Sequence, residues 1–184
     1  MVDIAILGAT YGAIGLTLAY TIRTGISPVP TAARVRRTLM GGLPRTLGAG
    51  TIFELGCGWG SLAVPLARAY PAHPVVGYEL SPLPWAVSWL RARFVRSRNL
   101  RVVRRDFHRA HLGDACLVVC YLYPGGMERL RPKLEAELRP DALVVSHFFP
   151  VPGWRPHRTL RADDLDRSPV YYYQPAQGGS HGGR

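Results

Sequence analysis

Three observations predict an α/β fold built on a mostly parallel sheet. Short apolar runs alternate with segments of helical period, the pattern of parallel strands joined by crossover helices. The first run passes directly into a glycine-rich turn, Glu54-Leu55-Gly56-Cys57-Gly58-Trp59-Gly60. The next two runs also end at or near an acidic residue. In open sheets of this kind a ligand sits beyond the carboxyl ends of the strands, where the strand order reverses. With 184 residues, 47% hydrophobic and 19% charged, one domain with a packed core is expected. The expected architecture is a Rossmann-like three-layer sandwich.

The chain opens with residues 4–22, 19 positions without a charge. A spanning helix needs about 20 mostly apolar residues, so the run just qualifies. Gly8 and Gly12 give a spacing of small residues that lets membrane helices approach closely. No polar stripe marks a face for water, and Asp3 stands where a signal peptide would carry Lys or Arg. Residues 1–27 are therefore expected to form an apolar helix that anchors the chain in a lipid bilayer through residues 4–22. Arg23, Arg34, Arg36 and Arg37 follow the run, which puts the remaining domain on the cytoplasmic side, in a prokaryote that of the cytoplasmic membrane.

Residues 28–173 carry the alternation. Residues 51–55 read as a buried strand entering a tight turn, and residues 61–70 as a helix, with Pro65 near its first turn where a missing N–H costs least. Residues 74–80 form a second strand. Ser81 can cap the next helix, Pro82 lies just inside it, and the helix runs to about residue 98. Strands follow at 100–104 and at 115–122, the latter apolar enough to lie centrally. A helix is expected over 127–138, a fifth strand over 142–149 and an aromatic late strand over 170–173. Residues 174–184 are Gly-rich and lack bulky apolar groups, so a loose tail is expected.

The chemistry concentrates at three strand ends. Glycines 56, 58 and 60 let the backbone approach a ligand. Glu79 closes the second strand, where a carboxylate can accept both ribose hydroxyls of a nucleoside. Asp106 follows the third strand, within reach of an adenine amine. Glu54 can order the turn or meet the amino group of a methionine moiety. A dinucleotide site requires Gly-x-Gly-x-x-Gly, and this chain reads Gly-x-Gly-x-Gly instead.

The formal net charge is +11, and 22 of the 23 basic residues are Arg, with Lys133 the single lysine. That sign favours anionic partners, namely nucleic acid, anionic lipid or an acidic protein face, through loose clusters at residues 34–37 and 91–105. Cys57, Cys116 and Cys120 form no disulfide or zinc spacing. His108 and His111 are spaced for one helix face but lack accompanying carboxylates or thiols, so no metal site is expected.

The glycine turn with its preceding acidic residue resembles motif I of the class I S-adenosylmethionine-dependent methyltransferases. That resemblance implies a seven-strand sheet with one antiparallel strand. Further strings narrow it: Pro28-Val29-Pro30-Thr31, Val76-Gly77-Tyr78-Glu79-Leu80-Ser81-Pro82, Glu135-Ala136-Glu137-Leu138-Arg139-Pro140 and Phe149-Pro150-Val151-Pro152-Gly153-Trp154. Together they resemble the membrane-anchored protein-lysine methyltransferases of mitochondria, which modify the adenine nucleotide translocase and the c subunit of ATP synthase, and their prokaryotic relatives. The family often has Asp-x-Gly-Ser-Gly-Asp-Gly here; Glu54, Cys57 and Trp59 depart from it.

The resemblance implies S-adenosyl-L-methionine as cofactor, with Glu54, Gly56, Cys57, Gly58, Gly60, Glu79, Leu80, Asp106, Phe107 and Tyr121 as candidate binding residues. It implies a lysine side chain of a membrane or membrane-associated protein as acceptor. Tyr121 and Tyr123 are the candidate catalytic residues, and His147, Phe149 and Trp154 further candidates to line an aromatic acceptor channel. Tyr121 ends the fourth strand beside the expected sulfonium. An RNA or small-molecule acceptor is the alternative. The Arg surplus permits RNA, but Tyr121-Leu122-Tyr123-Pro124 stands where base-amine methyltransferases carry Asn/Asp-Pro-Pro-Tyr/Phe. The remaining alternative is a non-catalytic cofactor-binding membrane module.

Overall fold

The computed structural model describes residues 31–95 and 97–175, together with Leu7, Gly12 and Gly15. Apart from those three positions, the anchor helix expected over residues 1–27 lies outside the described residues, as does the tail beyond residue 175.

Seven strands form one sheet: β1 (Thr51–Leu55), β2 (Val75–Glu79), β3 (Leu100–Arg104), β4 (Ala115–Cys120), β5 (Leu143–His147), β6 (Arg158–Arg161) and β7 (Pro169–Tyr173). Their spatial order is β3-β2-β1-β4-β5-β7-β6. The first five run parallel, and β7 pairs antiparallel to both β5 and β6. Over residues 31–175 four helices accompany them: α1 (Ala33–Gly42), α2 (Ala63–Ala69), α3 (Pro82–Val95) and α4 (Pro124–Glu137). The chain leaves β1 toward β2 and leaves β4 toward β5, so the connections diverge between β1 and β4 and open a crevice there.

Strand periodicity builds a core on each side of this sheet. On β4, Leu117 and Val119 join α1 and α2 residues such as Leu39 and Leu66 in one cluster. Val118 and Cys120, one residue out of step, join Met127, Leu130 and Leu134 of α4 in the other. Every residue of β1, β4 and β5 is buried, as expected of parallel strands covered on both faces.

The structure differs from the sequence expectations in several places. Helix α1 and strand β6 were not anticipated. The first has only Val35 and Leu39 buried, an i, i+4 pair in a polar segment. The second is an edge strand with Arg at both ends and a largely exposed pattern. Between β3 and β4 the chain makes only a 3₁₀ turn, Phe107–Arg109, so His108 and His111 do not share a helix face. Strand β5 stops at His147, because Phe148 takes φ 68° and Phe149 N–H turns back to the His147 carbonyl at 2.8 Å.

Helix α1 is locked under the sheet at one point. The buried Tyr172 hydroxyl donates to the Leu39 carbonyl at 2.9 Å. A Cβ added at Gly42 would stand 2.0 Å from that hydroxyl oxygen and 2.8 Å from Leu160 Cδ1, whereas one at Gly41 would meet nothing within 4 Å. Gly42→Ala is expected to cost about 1–3 kcal/mol through overpacking, and Gly41→Ala to be neutral or slightly stabilising. Thermal denaturation checks this pair; equal midpoints for the two variants would disprove the close packing at Gly42.

Candidate functional site

The crevice between β1 and β4 holds a cavity of about 360 Å³, lined from the carboxyl ends of β1, β2 and β4, the glycine turn and the 3₁₀ turn. Thr31, just before α1, closes one side, its N–H 3.3 Å from Ser61 Oγ.

The turn after β1 exists because its glycines can take left-handed backbone: φ is 75° at Gly56, 51° at Gly58 and 72° at Gly60. It is held by Glu79 at the end of the neighbouring strand β2. One carboxylate oxygen of Glu79 accepts from Gly58 N–H at 2.9 Å, the other from Ser81 N–H at 2.7 Å. Charge-assisted bonds to backbone N–H groups are among the stronger hydrogen bonds. They leave the carboxylate in the cavity wall with lone pairs to spare.

Glu54 is buried at the end of β1, and its Oε2 has no hydrogen-bond partner. Burial pushes its pKa well above the usual carboxylate range, the negative charge of Glu79 adds to this, and a hydrogen bond from the Ala63 backbone opposes it. A buried acceptor without a donor is costly. A cationic N–H donor entering the cavity would satisfy it, and the ammonium of a methionine moiety is such a donor. Asp106 lines the opposite side and caps the 3₁₀ turn, Oδ1 accepting from His108 N–H at 2.9 Å.

All ten cofactor candidates line this cavity except Gly60. Gly60 instead faces α3: an added Cβ would lie 3.2 Å from Ser88 Cβ, so this glycine serves helix packing. The Cys57 thiol is 3.5 Å from Ser88 Oγ. Burial, with Glu54 as the next contribution, raises its pKa well up, so it remains a neutral thiol. The sequence reading missed Tyr78, His108 and Arg129, which also line the cavity. No local signal marks Arg129, which reaches the site through the packing of α4. Thr31 belongs to the Pro28-Val29-Pro30-Thr31 string and was legible only as part of a resemblance.

The aromatic candidates separate. The Tyr121 ring lies on the cavity wall with its centroid 4.4 Å from His147 and 6.4 Å from Phe149, nearly parallel to the latter at 10°. Tyr123 is not among the lining residues; its ring sits under Arg129, whose guanidinium also bonds the phenol oxygen. Trp154 is buried in the core, donating to Glu135 Oε1 at 3.1 Å and packed edge-on against Tyr173. Of the five, Tyr121 alone lines the cavity, with His147 and Phe149 packed against its ring. Among the described residues no group of three His, Cys, Asp or Glu is placed to hold a metal ion.

Residues 54–158, more than half of the chain, match the ANTKMT methyltransferase domain. The chain belongs to that family. A protein-lysine N-methyltransferase of Saccharolobus islandicus is 28% identical over 78% of this chain and 89% of its own length. The adenine nucleotide translocase lysine N-methyltransferase of Mus musculus is 36% identical over 58% of this chain and 47% of its own, so the chain spans about half of that relative. A solved RNA methyltransferase of Salinibacter ruber, in complex with S-adenosyl-L-homocysteine, is 30% identical with a TM-score of 0.66, over 79% of this chain and 93% of that one. This member of the ANTKMT methyltransferase domain family is an S-adenosylmethionine-dependent methyltransferase, and the open acceptor on Glu54 fits that cationic cofactor.

His147 yields a pH prediction for this domain. Both its ring nitrogens are buried without a hydrogen-bond partner, and burial pushes its pKa down to about 4, against a slight opposing pull from Asp164. The unfolded chain, with histidine near 6.5, then binds more protons than the folded one between these values. The stability contribution is complete above about pH 6.5 and declines as pH falls toward 4. His147→Phe should flatten this decline in denaturant melts taken from pH 7 to 4; parallel curves for the two proteins would show that His147 is not held neutral.

Proposed function

We propose that this methyltransferase modifies the side-chain amine of lysine in a membrane or membrane-associated protein. The observation that carries the reading is the Tyr121 ring in the wall of a cavity that also holds Glu54, Glu79 and Asp106, with two further rings packed against it. Tyr121, backed by Phe149 and a neutral His147, stands at the end of β4 beside the carboxylates of Glu54 and Glu79. In this reading Glu79 accepts the ribose hydroxyls, Asp106 the adenine amine and Glu54 the ammonium of the cofactor, with Leu80 and Phe107 as apolar walls. S-adenosylmethionine supplies an electrophilic methyl group on a sulfonium.

A lysine amine, with an ordinary pKa near ~10.4, must arrive unprotonated. The apolar ring wall disfavours its charged form by desolvation, and the Arg129 guanidinium in the same cavity disfavours it by repulsion. The neutral His147 behind Tyr121 carries no charge that would trap the ammonium. Alignment and exclusion of water are the tasks left to the protein. Relatives named protein-lysine methyltransferases support this acceptor. The solved relative named an RNA methyltransferase and the +11 charge support a second reading, methylation of RNA.

Labelled methyl transfer to membrane-fraction proteins and to RNA separates the two. The expected product is labelled methyllysine. Glu79→Ala should weaken cofactor binding by roughly tenfold or more, the value of one charge-assisted hydrogen bond, and lose activity with it. Tyr121→Ala should lower turnover more than cofactor affinity. Label appearing in RNA alone would replace the lysine reading with the second one.

The membrane setting rests on residues 4–22, uncharged throughout and followed by arginines. No helix among the described residues is long and apolar enough to cross a membrane. The full chain should sediment with membranes and a chain lacking residues 1–27 should be released from them at least in part. Identical partition of the two would remove the anchor, and with it the cytoplasmic-membrane placement.

A further inference from the structure

We propose that the outward face of α3 docks on the surface of an anionic lipid bilayer. Helix α3 has its polarity reversed. Its two buried positions are Pro84 and Ser88, while Trp89, Leu90 and Phe94 are 45%, 48% and 77% exposed. Ala86, Trp89, Leu90, Arg93 and Phe94 recur at i, i+3, i+4, i+7 and i+8, the spacing of one helical stripe, and all five are exposed. A helix face of this composition normally meets another apolar surface, and large exposed apolar patches mark interaction sites.

Charge selects the occupant. From Leu80 to Arg105 the sequence contains seven arginines and no Asp or Glu. Arg93 stands within the stripe with its guanidinium 5.9 Å from the Trp89 ring. Exposed Arg98 and Arg101 flank a shallow groove beside Trp89. Trp, Phe and Leu on one strip with arginines around it is the composition of elements that lie in the headgroup region, apolar side chains down and cations among the phosphates. A second copy of the chain fits poorly: a two-fold contact sets the same surface against itself, and this surface has no carboxylate to receive the partner's arginines. Leu90 and Ala86 offer nothing to the stacking and phosphate contacts that bind nucleic acid.

The face begins one turn from the cavity, since Ser81 lines it and Pro82 starts α3. Docking through α3 would hold the cavity mouth at the bilayer surface. The proposal does not depend on residues 4–22 or on the identity of the acceptor.

The test uses the full chain with vesicles carrying brominated acyl chains, of phosphatidylcholine alone or mixed with phosphatidylglycerol. Of the four tryptophans, Trp89 is the exposed one, and bromolipid quenches it only at the membrane. Quenching should be strong in anionic vesicles, and most of it should be missing in Trp89→Tyr. The anionic lipid needed for half-maximal quenching should rise roughly fivefold for each of Arg93, Arg98 and Arg101 replaced by Gln. Circular dichroism confirms that the variants fold. Equal quenching in wild type and Trp89→Tyr, or quenching indifferent to lipid charge, overturns the proposal. So does a dimer, or an RNA complex, that Leu90→Glu disrupts while Trp89 stays unquenched. An anchor at residues 4–22 adds charge-independent binding, so its failure leaves the Trp89 signal intact and the two ideas fail separately.

Discussion

Two carboxylates at the ends of adjacent parallel strands set the terms for the rest of this molecule. In register Glu54 lies opposite Gly77 and Leu55 opposite Tyr78, which brings Glu79 to the same edge of the sheet. Like charges in a region of low dielectric are unfavourable unless donors or a counter-charge offset them. Glu79 has its donors, Gly58 N–H and Ser81 N–H. Glu54 has only the Ala63 backbone, its Oε2 has no donor, and its raised pKa records the deficit. The glycine turn adopts left-handed backbone to present Gly58 N–H to Glu79, and the same folding leaves an acceptor facing a cavity. Structure and cofactor preference thus follow from one electrostatic arrangement, which a cationic guest completes.

The far side of the cavity is governed by the exit from β5. Strand β7 returns antiparallel, with His147 opposite Val170, and Phe148 N–H bonds the Pro169 carbonyl at 2.8 Å. Making that bond while ending the strand puts Phe148 at φ 68°, a conformation non-glycine residues adopt at a cost. The reversal delivers Phe149 to the edge of Tyr121. The one backbone distortion outside glycine near the site therefore supports the ring wall on which the acceptor reading rests.

The family relationship and the geometry address different halves of the reaction. The cleft of Glu54, Glu79 and the glycine turn suits a cofactor common to lysine and RNA methyltransferases alike, and relatives bearing both names match this chain. In the proposed reading acceptor choice falls to Tyr121, Arg129 and the surfaces around the mouth, where charge and exposed apolar groups are distributed by the fold as a whole.

Much of the fold was legible in the sequence because parallel strands buried on both faces leave continuous apolar runs, as 51–55, 115–120 and 143–147 do. The cofactor side of the site was legible for a related reason. Its residues stand at strand ends and in a glycine turn, so their placement follows from local chain order. Strand β6 and helix α1 were not legible, since an edge strand of Arg-Thr-Leu-Arg has no apolar run and a helix whose buried stripe is the single pair Val35 and Leu39 gives too short a pattern to read. The sequence singled out Tyr121 by its place at the end of the fourth strand, but no local signal separates Tyr123 and Trp154 from a cavity wall. Only the tertiary structure set Tyr123 under Arg129 and Trp154 in the core, because each depends on which helix face or returning strand lies across from it. The sequence by itself determined the parallel strands and the glycine turn with its acidic strand ends, through local hydrophobic period and turn chemistry. The acceptor wall and the reversed face of α3 were decided by contacts between segments far apart in the chain, which no local pattern encodes.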